Sequence, residues 1–378
     1  MKVAFVHDWL INLGGSEKVL EALLRMYPSK IYTLIADQSA LIGTFLQGQQ
    51  IETSFIQKLP RAKTKYRSYL PLFPLAVEQF DLFDYDLVIS SSHSIAKGAL
   101  THADQLHICY CHTPMRYAWD FYQQSLRRTK LKSGVKGVLA KCVFHYLRMW
   151  DMHASKRVDV YVANSHCVGR RIQKLYRQAA TVIYPPVKVE HFSLCETKEH
   201  FYLTASRLVP DKRVELIVEA FQALPDQKLV VIGEGSEMKR IKKKARRNVE
   251  ILGYQNDEIL KQMLQRARAF ICAAVEDFGI LPVEAQSCGT PVIAFGKGGV
   301  LETVIEGKTG LFYPRQCVAS LVEAIQKFER RQGQFVPAKI HAHAQSFSTI
   351  RFQREFETFV KRKYEEFIER YSWKGKAP

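Results

Sequence analysis

The chain has 378 residues, of which 47% are hydrophobic, so it can bury the cores of two domains of ordinary size. Lys and Arg outnumber Asp and Glu by 55 to 37, and the net charge of +18 favours partners that carry phosphate or other negative groups. The sequence shows no repeat and no run of eighteen uncharged apolar residues, which disfavours repeat proteins and transmembrane helices. Any membrane contact is therefore expected to be peripheral.

The first half of the chain predicts a doubly wound parallel sheet. Short apolar runs alternate with longer amphipathic stretches, and each run ends in polar or small residues, as strands that line a ligand crevice do. The predicted strands are Lys2–Asp8, Tyr85–Ser91, Leu106–Cys111, Val158–Ala163 and Thr181–Tyr184.

The N-terminal run is too short and too soon interrupted by His7 for a signal peptide, and the eight Cys show no CxxC spacing. We therefore expect reduced thiols and a cytoplasmic protein. Cys109 and Cys111 are interpreted as buried small residues, and no metal site is expected.

After a linker, the second half repeats the same alternation. Its predicted strands are Phe201–Ala205, Lys228–Ile232, Val249–Leu252, Ala269–Ala273, Pro291–Ala294 and Gly310–Phe312. We divide the chain into a first Rossmann-like domain at 1–187, a linker at 188–200, a second Rossmann-like domain at 201–348, and a terminal helix at 349–378. This helix is expected to pack back onto the first domain, although capping of the second domain is the alternative.

The segment Glu276–Glu284 carries the clearest functional pattern. Gly279 lies in a turn before a predicted helix, whose free backbone N–H groups and positive dipole end suit a phosphate. Pro282 fits the first turn of such a helix. The carboxylates of Glu276 and Glu284 can each accept hydrogen bonds from sugar hydroxyls. A solvated loop for Glu276 and a helix-dipole partner for Glu284 are the alternatives.

A second pattern, Ser206–Lys212, also follows a strand and leads into a helix. Arg207 and Lys212 are two cations that can offset the charge growing on a departing diphosphate. The second half of the chain, which carries these motifs, contains no Asp-x-Asp motif of the type that holds a metal with a nucleotide sugar. A metal-independent reaction is therefore expected, with plain surface solvation of the two cations as the alternative.

Taken in order, these motifs resemble the retaining family-4 glycosyltransferases of the GT-B fold. The shared features are a Gly14–Gly15 turn, the SRL…DK segment, the GEG turn of Gly233 and Gly235, the pair Gly253–Tyr254, and the E-x-FG-x-x-x-x-E segment. The resemblance implies an α/β fold of two Rossmann-like domains that face each other across a cleft. It also implies a nucleotide diphosphate sugar as donor substrate, and no required cofactor.

The resemblance also implies roles for individual residues. Arg207 and Lys212 would grip the diphosphate, Glu276 the transferred sugar and Glu284 the ribose. Further donor contacts would come from Gly14, Gly15, Gly233, Gly235, Tyr254, Phe278, Gly279, Ile280 and Leu281. His112, at the end of a first-domain strand, would orient the reacting groups or share an acceptor proton, because imidazole titrates near neutral pH. Asn164 would touch the acceptor.

The densest positive charge lies in the first half, where 127–157 holds nine Lys or Arg and a single acidic residue. Apolar residues alternate with them at helical spacing, a pattern that suits an anionic membrane surface. Lys130, Lys132, Lys136 and Trp150 are the predicted contacts, with an ordinary solvated helix face as the alternative. This pattern favours a lipid-linked acceptor and peripheral association with the inner face of the cytoplasmic membrane.

The segments HDW, GGSE and CHTP resemble mannosyltransferases of surface-polysaccharide and lipopolysaccharide assembly, which favours GDP-mannose and leaves a UDP-sugar open. A GT-B epimerase or polysaccharide synthase is the nearest alternative. The positive charge alone would also fit a nucleic-acid-binding protein, but the sequence contains no recognisable binding module of that kind.

Overall fold

The computed structural model describes residues 1–128 and 134–371, which divide into two compact units. The first unit holds Met1–Tyr184 together with the segment that starts at Gln353, and the second holds Pro185–Phe352. Each unit is built around its own parallel sheet, and the predicted fold class is confirmed.

The first unit contains a seven-stranded sheet in the order β3-β2-β1-β4-β5-β6-β7. Apart from the two strands 31–33 and 51–53, every strand was predicted to within three residues at either end. In the centre of the sheet, His7 of one strand pairs with Ser91 of the next, so their polar ends reach the same edge. The strands are β1 Val3–His7, β2 Ile31–Thr33, β3 Ile51–Thr53, β4 Leu87–Ser92, β5 Leu106–Cys111, β6 Val160–Ala163 and β7 Ala180–Val182.

Strands β1, β4 and β5 are buried at every residue, so both faces of the sheet are covered there, as is usual for parallel sheets. The first helix buries Val19, Leu20, Leu23 and Leu24, which recur at the spacing of one helical face. The helices of the first unit are α1 Gly15–Met26, α2 Gln38–Leu41, α3 Ala62–Lys65, α4 Phe73–Val77, α5 Tyr122–Arg128, α6 Gly134–Ser155 and α7 His166–Tyr176.

Helix α6 is held to the core by a buried ion pair. Asp151 is fully buried and contacts the ammonium of Lys97, which is itself 1% exposed. The same carboxylate accepts hydrogen bonds from Trp119 Nε1 at 2.8 Å and from the Tyr176 hydroxyl at 2.9 Å. Because an unpaired buried charge is costly, these bonds fix which side of α6 faces inward.

The second unit contains a six-stranded parallel sheet in the order β10-β9-β8-β11-β12-β13. Its strands are β8 Phe201–Ala205, β9 Lys228–Ile232, β10 Val249–Gly253, β11 Ala269–Cys272, β12 Val292–Phe295 and β13 Gly310–Tyr313. Its helices are α8 Val214–Gln222, α9 Met238–Lys244, α10 Asp257–Arg266, α11 Ile280–Ser287, α12 Val300–Thr303, α13 Val318–Arg331 and α14 Pro337–Ala344.

The last helix, α15 Thr349–Tyr371, begins in the second unit and groups with the first from Gln353 onward. Phe356, Phe359 and Val360 are buried along it, and the Phe356 ring lies 6.2 Å from that of Tyr110 in β5. The first unit is therefore made of two separate stretches of sequence.

Candidate functional site

In the second unit, an ion pair joins the segments that follow β8 and β11. Lys212 Nζ donates to both carboxylate oxygens of Glu276, at 2.6 and 2.9 Å, and each side chain is 21% exposed. Burial lowers the pKa of Lys212, but the Glu276 carboxylate outweighs burial and raises the pKa above its ordinary value. The Lys212 ammonium therefore stays charged at the carboxyl edge of the second sheet.

Arg207 supplies a second cation beside this pair. Its positive charge tends to lower the pKa of Lys212, so the two groups interact electrostatically. Arg207 is exposed, and it forms no ion pair with any residue in the described part of the chain. Two cations and one carboxylate leave a net positive charge, so an anion is the complementary ligand.

Helix α11 starts next to Glu276. Its N-cap, Gly279, has φ +96°, a left-handed conformation that favours glycine, and as a glycine it has no side chain with which to cap the helix. The preceding loop is backed by Gly299, whose N–H donates to the Glu276 carbonyl at 2.8 Å. A Cβ on Gly299 would lie 2.4 Å from the Asp277 carbonyl oxygen, so this close backing requires glycine. The start of α11 is thus held in place beside the cations.

The GEG turn packs against the segment that carries Arg207. Gly233 has φ +131°, and a Cβ there would lie 1.8 Å from the Ser206 carbonyl oxygen. Leu208 N donates to the Glu234 carbonyl at 2.7 Å, and Gly233 N donates to the Gly253 carbonyl at the same distance. Tyr254, which follows, is 72% exposed. Gly235, at φ +157°, belongs to the same turn. These residues therefore lie together at the carboxyl ends of β8, β9 and β10.

The remaining predicted donor residues lie within α11 or just before it. Glu284 is 3% exposed, and Phe278 is 3% exposed with its ring 5.6 Å from that of Phe347. Ile280 and Leu281 are half-buried in the first turn. The structure brings Arg207, Lys212, Glu276 and this helix start together, while their predicted roles in binding remain predictions.

In the first unit, four polar side chains form a chain of hydrogen bonds at the edge where β1, β4 and β5 end. Glu17 Oε1 lies 3.1 Å from His7 Nε2, and His7 Nδ1 lies 3.1 Å from Ser91 Oγ. Ser91 Oγ in turn lies 2.8 Å from His112 Nε2. Of these residues only His112 is partly exposed. The predicted His is thus the exposed end of a buried network.

Burial lowers the pKa of His112 to about 3, helped by the nearby charges of His93 and His7. A ring with that pKa is neutral throughout the physiological range, and the predicted part of His112 in orienting the reacting groups remains a prediction. A neutral imidazole still offers one N–H donor and one lone-pair acceptor.

A second acid–imidazole pair lies beside the first. His93 Nδ1 is 2.8 Å from Asp8 Oδ2, and the other Asp8 oxygen accepts from the backbone N–H groups of Ile95 and Ala96 at 2.6 and 2.7 Å. Burial opposes ionisation of Asp8, but the charge and hydrogen bonds of His93 prevail and hold its pKa well below the ordinary value. The rings of His93 and His112 are 6.4 Å apart.

Two predicted contacts in the first unit have other partners. Gly14 N donates to Glu17 Oε2 at 2.6 Å, so this N–H is paired with a carboxylate of the same helix. Asn164 is 6% exposed, and its side-chain amide donates to the His112 carbonyl at 2.9 Å. The predicted donor contacts of Gly14 and Gly15 and the predicted acceptor contact of Asn164 remain predictions.

The predicted membrane contacts on α6 differ in their surroundings. Trp150 is half-buried, its Nε1 donates to Glu78 Oε1 at 2.8 Å and its ring packs against Gly98, so its predicted membrane contact remains a prediction. Lys136 is exposed, whereas Lys130 and Lys132 lie outside the described residues. The aromatic residue therefore anchors the inner side of the helix.

Sequence reasoning missed Glu17, Ser91 and His93. A usable signal was present, because the polar run Ser90–Ser94 leaves a predicted strand at the carboxyl edge, where ligands of parallel sheets bind.

Two family models together match residues 13 to 344. Residues 13–191 match glycosyltransferase family 4, and residues 190–344 match the group 1 glycosyl transferases. This chain is a group 1 glycosyltransferase. Members of this family use nucleotide-sugar donors.

Curated relatives of the glycosyltransferase include mannosyltransferases at low identity. It is 22% identical to the alpha-1,3/1,6-mannosyltransferase alg2 of Schizosaccharomyces pombe, over 84% of this chain and 71% of that protein. It is 35% identical to a GDP-mannose-dependent phosphatidylinositol monomannoside mannosyltransferase of Corynebacterium glutamicum, over 32% of this chain and 35% of that protein. An uncharacterized glycosyltransferase of Methanocaldococcus jannaschii is 28% identical, over 53% of this chain and 57% of its own length.

Solved structures show the same GT-B fold. Anabaena HepE in complex with UDP superposes on the glycosyltransferase with a TM-score of 0.70 at 17% identity, covering 96% of this chain and all of that one. The sucrose-phosphate synthase of Thermosynechococcus elongatus gives a TM-score of 0.74 at 17% identity, covering 97% of this chain and 100% of that one. Within residues 1–128 and 134–371, no helix is both long and apolar enough to cross a bilayer.

Proposed function

We propose that this glycosyltransferase moves mannose from GDP-mannose to a lipid-linked acceptor in surface-glycan assembly, with retention of the anomeric configuration. The observation that carries the proposal is the contact of Lys212 with both oxygens of Glu276, beside Arg207 and the uncapped start of α11. The two cations would bind the diphosphate and stabilise it as it leaves. Glu276 would hold the hydroxyls of the transferred sugar.

Several features support each part of this assignment. The open helix start offers backbone N–H groups to a phosphate, and the nearby cations need no proton transfer to stabilise its charge. Mannose and GDP are chosen because two of the relatives described above are mannosyltransferases, one of them GDP-mannose-dependent. The HepE complexes contain UDP or UDP-glucose, so the nucleotide is the part of the proposal that most needs a direct test.

Calorimetric titration of the purified full chain with GDP, UDP and ADP tests the nucleotide. GDP is expected to bind most tightly, and tighter binding of UDP would overturn the choice of GDP-mannose. Radiolabelled GDP-mannose is then incubated with the enzyme and a bacterial lipid extract, and label should enter the lipid phase. An altered free nucleotide sugar without transfer would favour an epimerase. The anomeric coupling in the product, measured by NMR, tests retention.

An exposed apolar stripe on α6 supports the membrane part of the proposal. Val135, Val138, Leu139, Tyr146 and Met149 are 86%, 60%, 64%, 46% and 51% exposed, and they follow helical spacing. The opposite side of the helix is buried through Phe144, Leu147 and Asp151. Exposed Lys136 and Lys141 lie among the stripe residues. Apolar side chains flanked by cations complement an anionic bilayer surface, on which a lipid-linked acceptor would be presented.

Cosedimentation with liposomes tests this surface. The double variant Val138→Glu and Leu139→Glu should lose binding to vesicles that contain anionic lipid. Ile42→Glu is the matched control, because Ile42 is 73% exposed but lies outside the stripe. Equal binding of the double variant and the control would contradict the membrane assignment without affecting the donor site.

A further inference from the structure

The side chains of Glu17, His7, Ser91 and His112 form a chain of hydrogen bonds, called the relay below. The position of each proton in the relay follows from the partners of its atoms. Its first member is a carboxylate that accepts hydrogen bonds at both oxygens, from Gly14 N to Oε2 at 2.6 Å and from the Ser16 hydroxyl to Oε1 at 3.0 Å. This arrangement fits the ionised form. An ionised carboxylate accepts hydrogen bonds and cannot donate them. His7 Nε2, at 3.1 Å from Glu17 Oε1, must therefore carry a proton.

The remaining directions follow one after another when His7 is neutral. Its Nδ1 then has a lone pair and accepts from the Ser91 hydroxyl at 3.1 Å. Since the single proton of that hydroxyl is used, Ser91 Oγ accepts from His112 Nε2 at 2.8 Å. His112 thus holds its ring proton on Nε2, and its Nδ1 is unprotonated. Among the described residues, Nδ1 has no hydrogen-bond partner.

We infer that Glu17, His7 and Ser91 are positioning residues that fix the tautomer of His112 and leave its Nδ1 as an acceptor for a sugar hydroxyl. Glu17, His7 and Ser91 are 4%, 0% and 0% exposed. Water therefore cannot easily replace a bond that is lost, and reversing one bond requires reversing all the others. The role for Nδ1 rests on the proposed function together with the predicted role of His112 in orienting the reacting groups, whereas the tautomer itself does not.

Other groups near this hydrogen-bond chain restrain the His112 segment. The neighbouring groups are His93, whose ring lies 6.4 Å away, and Asp8, which is bound to His93. Asn164 holds the His112 backbone carbonyl at 2.9 Å and so restrains the segment without touching the ring nitrogens. A hydroxyl that reacts with the sugar must give up its proton, and an oriented lone pair can receive a hydrogen bond from it.

Glu17→Gln provides a directional test, because a glutamine amide has one oxygen and one NH2 group. Gly14 N donates to the Oε2 position at 2.6 Å, which places the amide oxygen there and turns the NH2 group toward His7. His7 Nε2 must then accept, and its proton moves to Nδ1. That nitrogen donates to Ser91, and the Ser91 hydroxyl donates to His112 Nε2. The proton of His112 should therefore move to Nδ1.

Nitrogen-15 NMR of the full chain with labelled histidine measures this change directly, because protonated and unprotonated ring nitrogens resonate far apart. Spectra are recorded at pH 8, where imidazoles are ordinarily neutral, and His112→Gln assigns the resonances of His112 by their loss. We expect the Nε2-protonated tautomer in the wild type, the Nδ1-protonated tautomer in Glu17→Gln, and a mixture in Ser91→Ala. An Nδ1-protonated wild type, or an unchanged tautomer in Glu17→Gln, would overturn the relay.

Ser90→Ala is the matched control for Ser91→Ala. Ser90 precedes Ser91 on the same strand and makes the same kind of bond, from its Oγ to His107 Nε2 at 2.8 Å, and it is equally buried. Its loss should leave the His112 resonances unchanged, and a change equal to that in Ser91→Ala would mean that the variants act by general disturbance of the strand.

Turnover provides the second measurement. Ser91→Ala and Glu17→Gln should each lower kcat by about 10-fold or more, the scale known for groups that orient an imidazole ligand, with little change in KM for the donor. A confirmed tautomer with normal kcat in both variants would leave the relay in place and contradict the role of His112 in the proposed function.

Discussion

The two sheets carry charged groups at their carboxyl edges, but they treat those groups in opposite ways. In the first unit, α1 begins with its own Glu17 carboxylate bound to the Gly14 amide, and the imidazoles nearby are joined to acids or hydroxyls. In the second unit, α11 begins at Gly279 with no capping side chain, and Arg207 remains exposed beside Lys212. The carboxyl edge of the first sheet, called the first edge, holds its side chains in fixed orientations. The carboxyl edge of the second sheet, called the second edge, is suited to bind an anion.

The largest effect is expected at the second edge, where Lys212 and Glu276 are proposed to stabilise the reacting charges. Lys212→Ala or Glu276→Ala should lower kcat/KM by about 10²- to 10³-fold, because each removes an oriented charge from the reacting centre. Initial rates of transfer measure this loss, and circular dichroism confirms the fold.

Lys228→Ala is the control for these variants. Lys228 forms a similar contact with Glu250 at 2.8 Å, but both side chains are about half exposed. Its removal should change the rate by less than about twofold, as exposed ion pairs contribute little. Near-normal turnover in Lys212→Ala would remove the charge-stabilising role of the second edge.

A smaller effect is expected at the first edge. His112→Ala should lower kcat by about 10²-fold, the lower part of the range for groups that handle protons, without weakening the binding of the nucleotide. Transfer rates and calorimetric titration with GDP separate the two effects. His102→Ala is the control, because His102 is an exposed imidazole in the same unit. Equal losses of kcat and of GDP affinity in His112→Ala would break the distinction between the edges.

A substitution in the GEG turn tests whether its close packing stabilises the second edge. Gly233→Ala should destabilise the protein by about 1–3 kcal/mol, because the new Cβ would meet the Ser206 carbonyl and φ is +131°. Thermal unfolding measures the change.

Gly307→Ala is the matched control for Gly233→Ala. It has φ +74° with no atom within 4 Å of an added Cβ, so it tests the cost of the backbone conformation alone. A loss in Gly233→Ala no greater than in Gly307→Ala would show that the close packing of the turn is unimportant.

The last prediction concerns a difference in acid sensitivity. Burial lowers the pKa of His107 and of His112 to about 3, against an ordinary value of 6.5. Between these values the unfolded chain binds more protons than the folded chain, so stability falls as pH drops from 6.5 towards 3. Glu17, with its pKa lowered to about 2, adds a further loss below pH 4.5.

Hydrogen–deuterium exchange measured between pH 7.5 and 4.5 locates this effect. Strands β4 and β5 of the first unit should lose protection before β8 and β9 of the second. In the second unit, burial lowers the pKa of Lys198 to about 8, so this residue is protonated in both states across that pH range. Simultaneous loss of protection in the two sheets would contradict the assignment of acid sensitivity to the first unit.

The fold could be predicted well from the sequence because its signals are local. Phe201–Ala205 and Leu106–Cys111 are strands with the predicted bounds, since each is a compact apolar run flanked by polar residues. The short strands Ile31–Thr33 and Ile51–Thr53 were missed because three residues give too little periodicity. The cations and carboxylates of the second edge were found because each lies in a short motif next to a strand end.

The network of the first edge could not be predicted in the same way. Glu17 and Ser91 belong to different elements, and only the register of β1 with β4 brings His7 between them. The orientation of helix α6 could not be predicted for another reason. Both of its sides are apolar, so the sequence does not reveal that Trp150 faces inward while Val138 and Leu139 are exposed.

The C-terminal helix affects the order in which the protein can fold during synthesis. All residues of the second unit, Pro185–Phe352, leave the ribosome before the first unit has received Phe356, Phe359 and Val360. Nascent chains usually fold their earlier domains first. In this protein the first unit keeps part of its apolar surface exposed until the second unit has been synthesised. A chaperone could bind that surface during this interval.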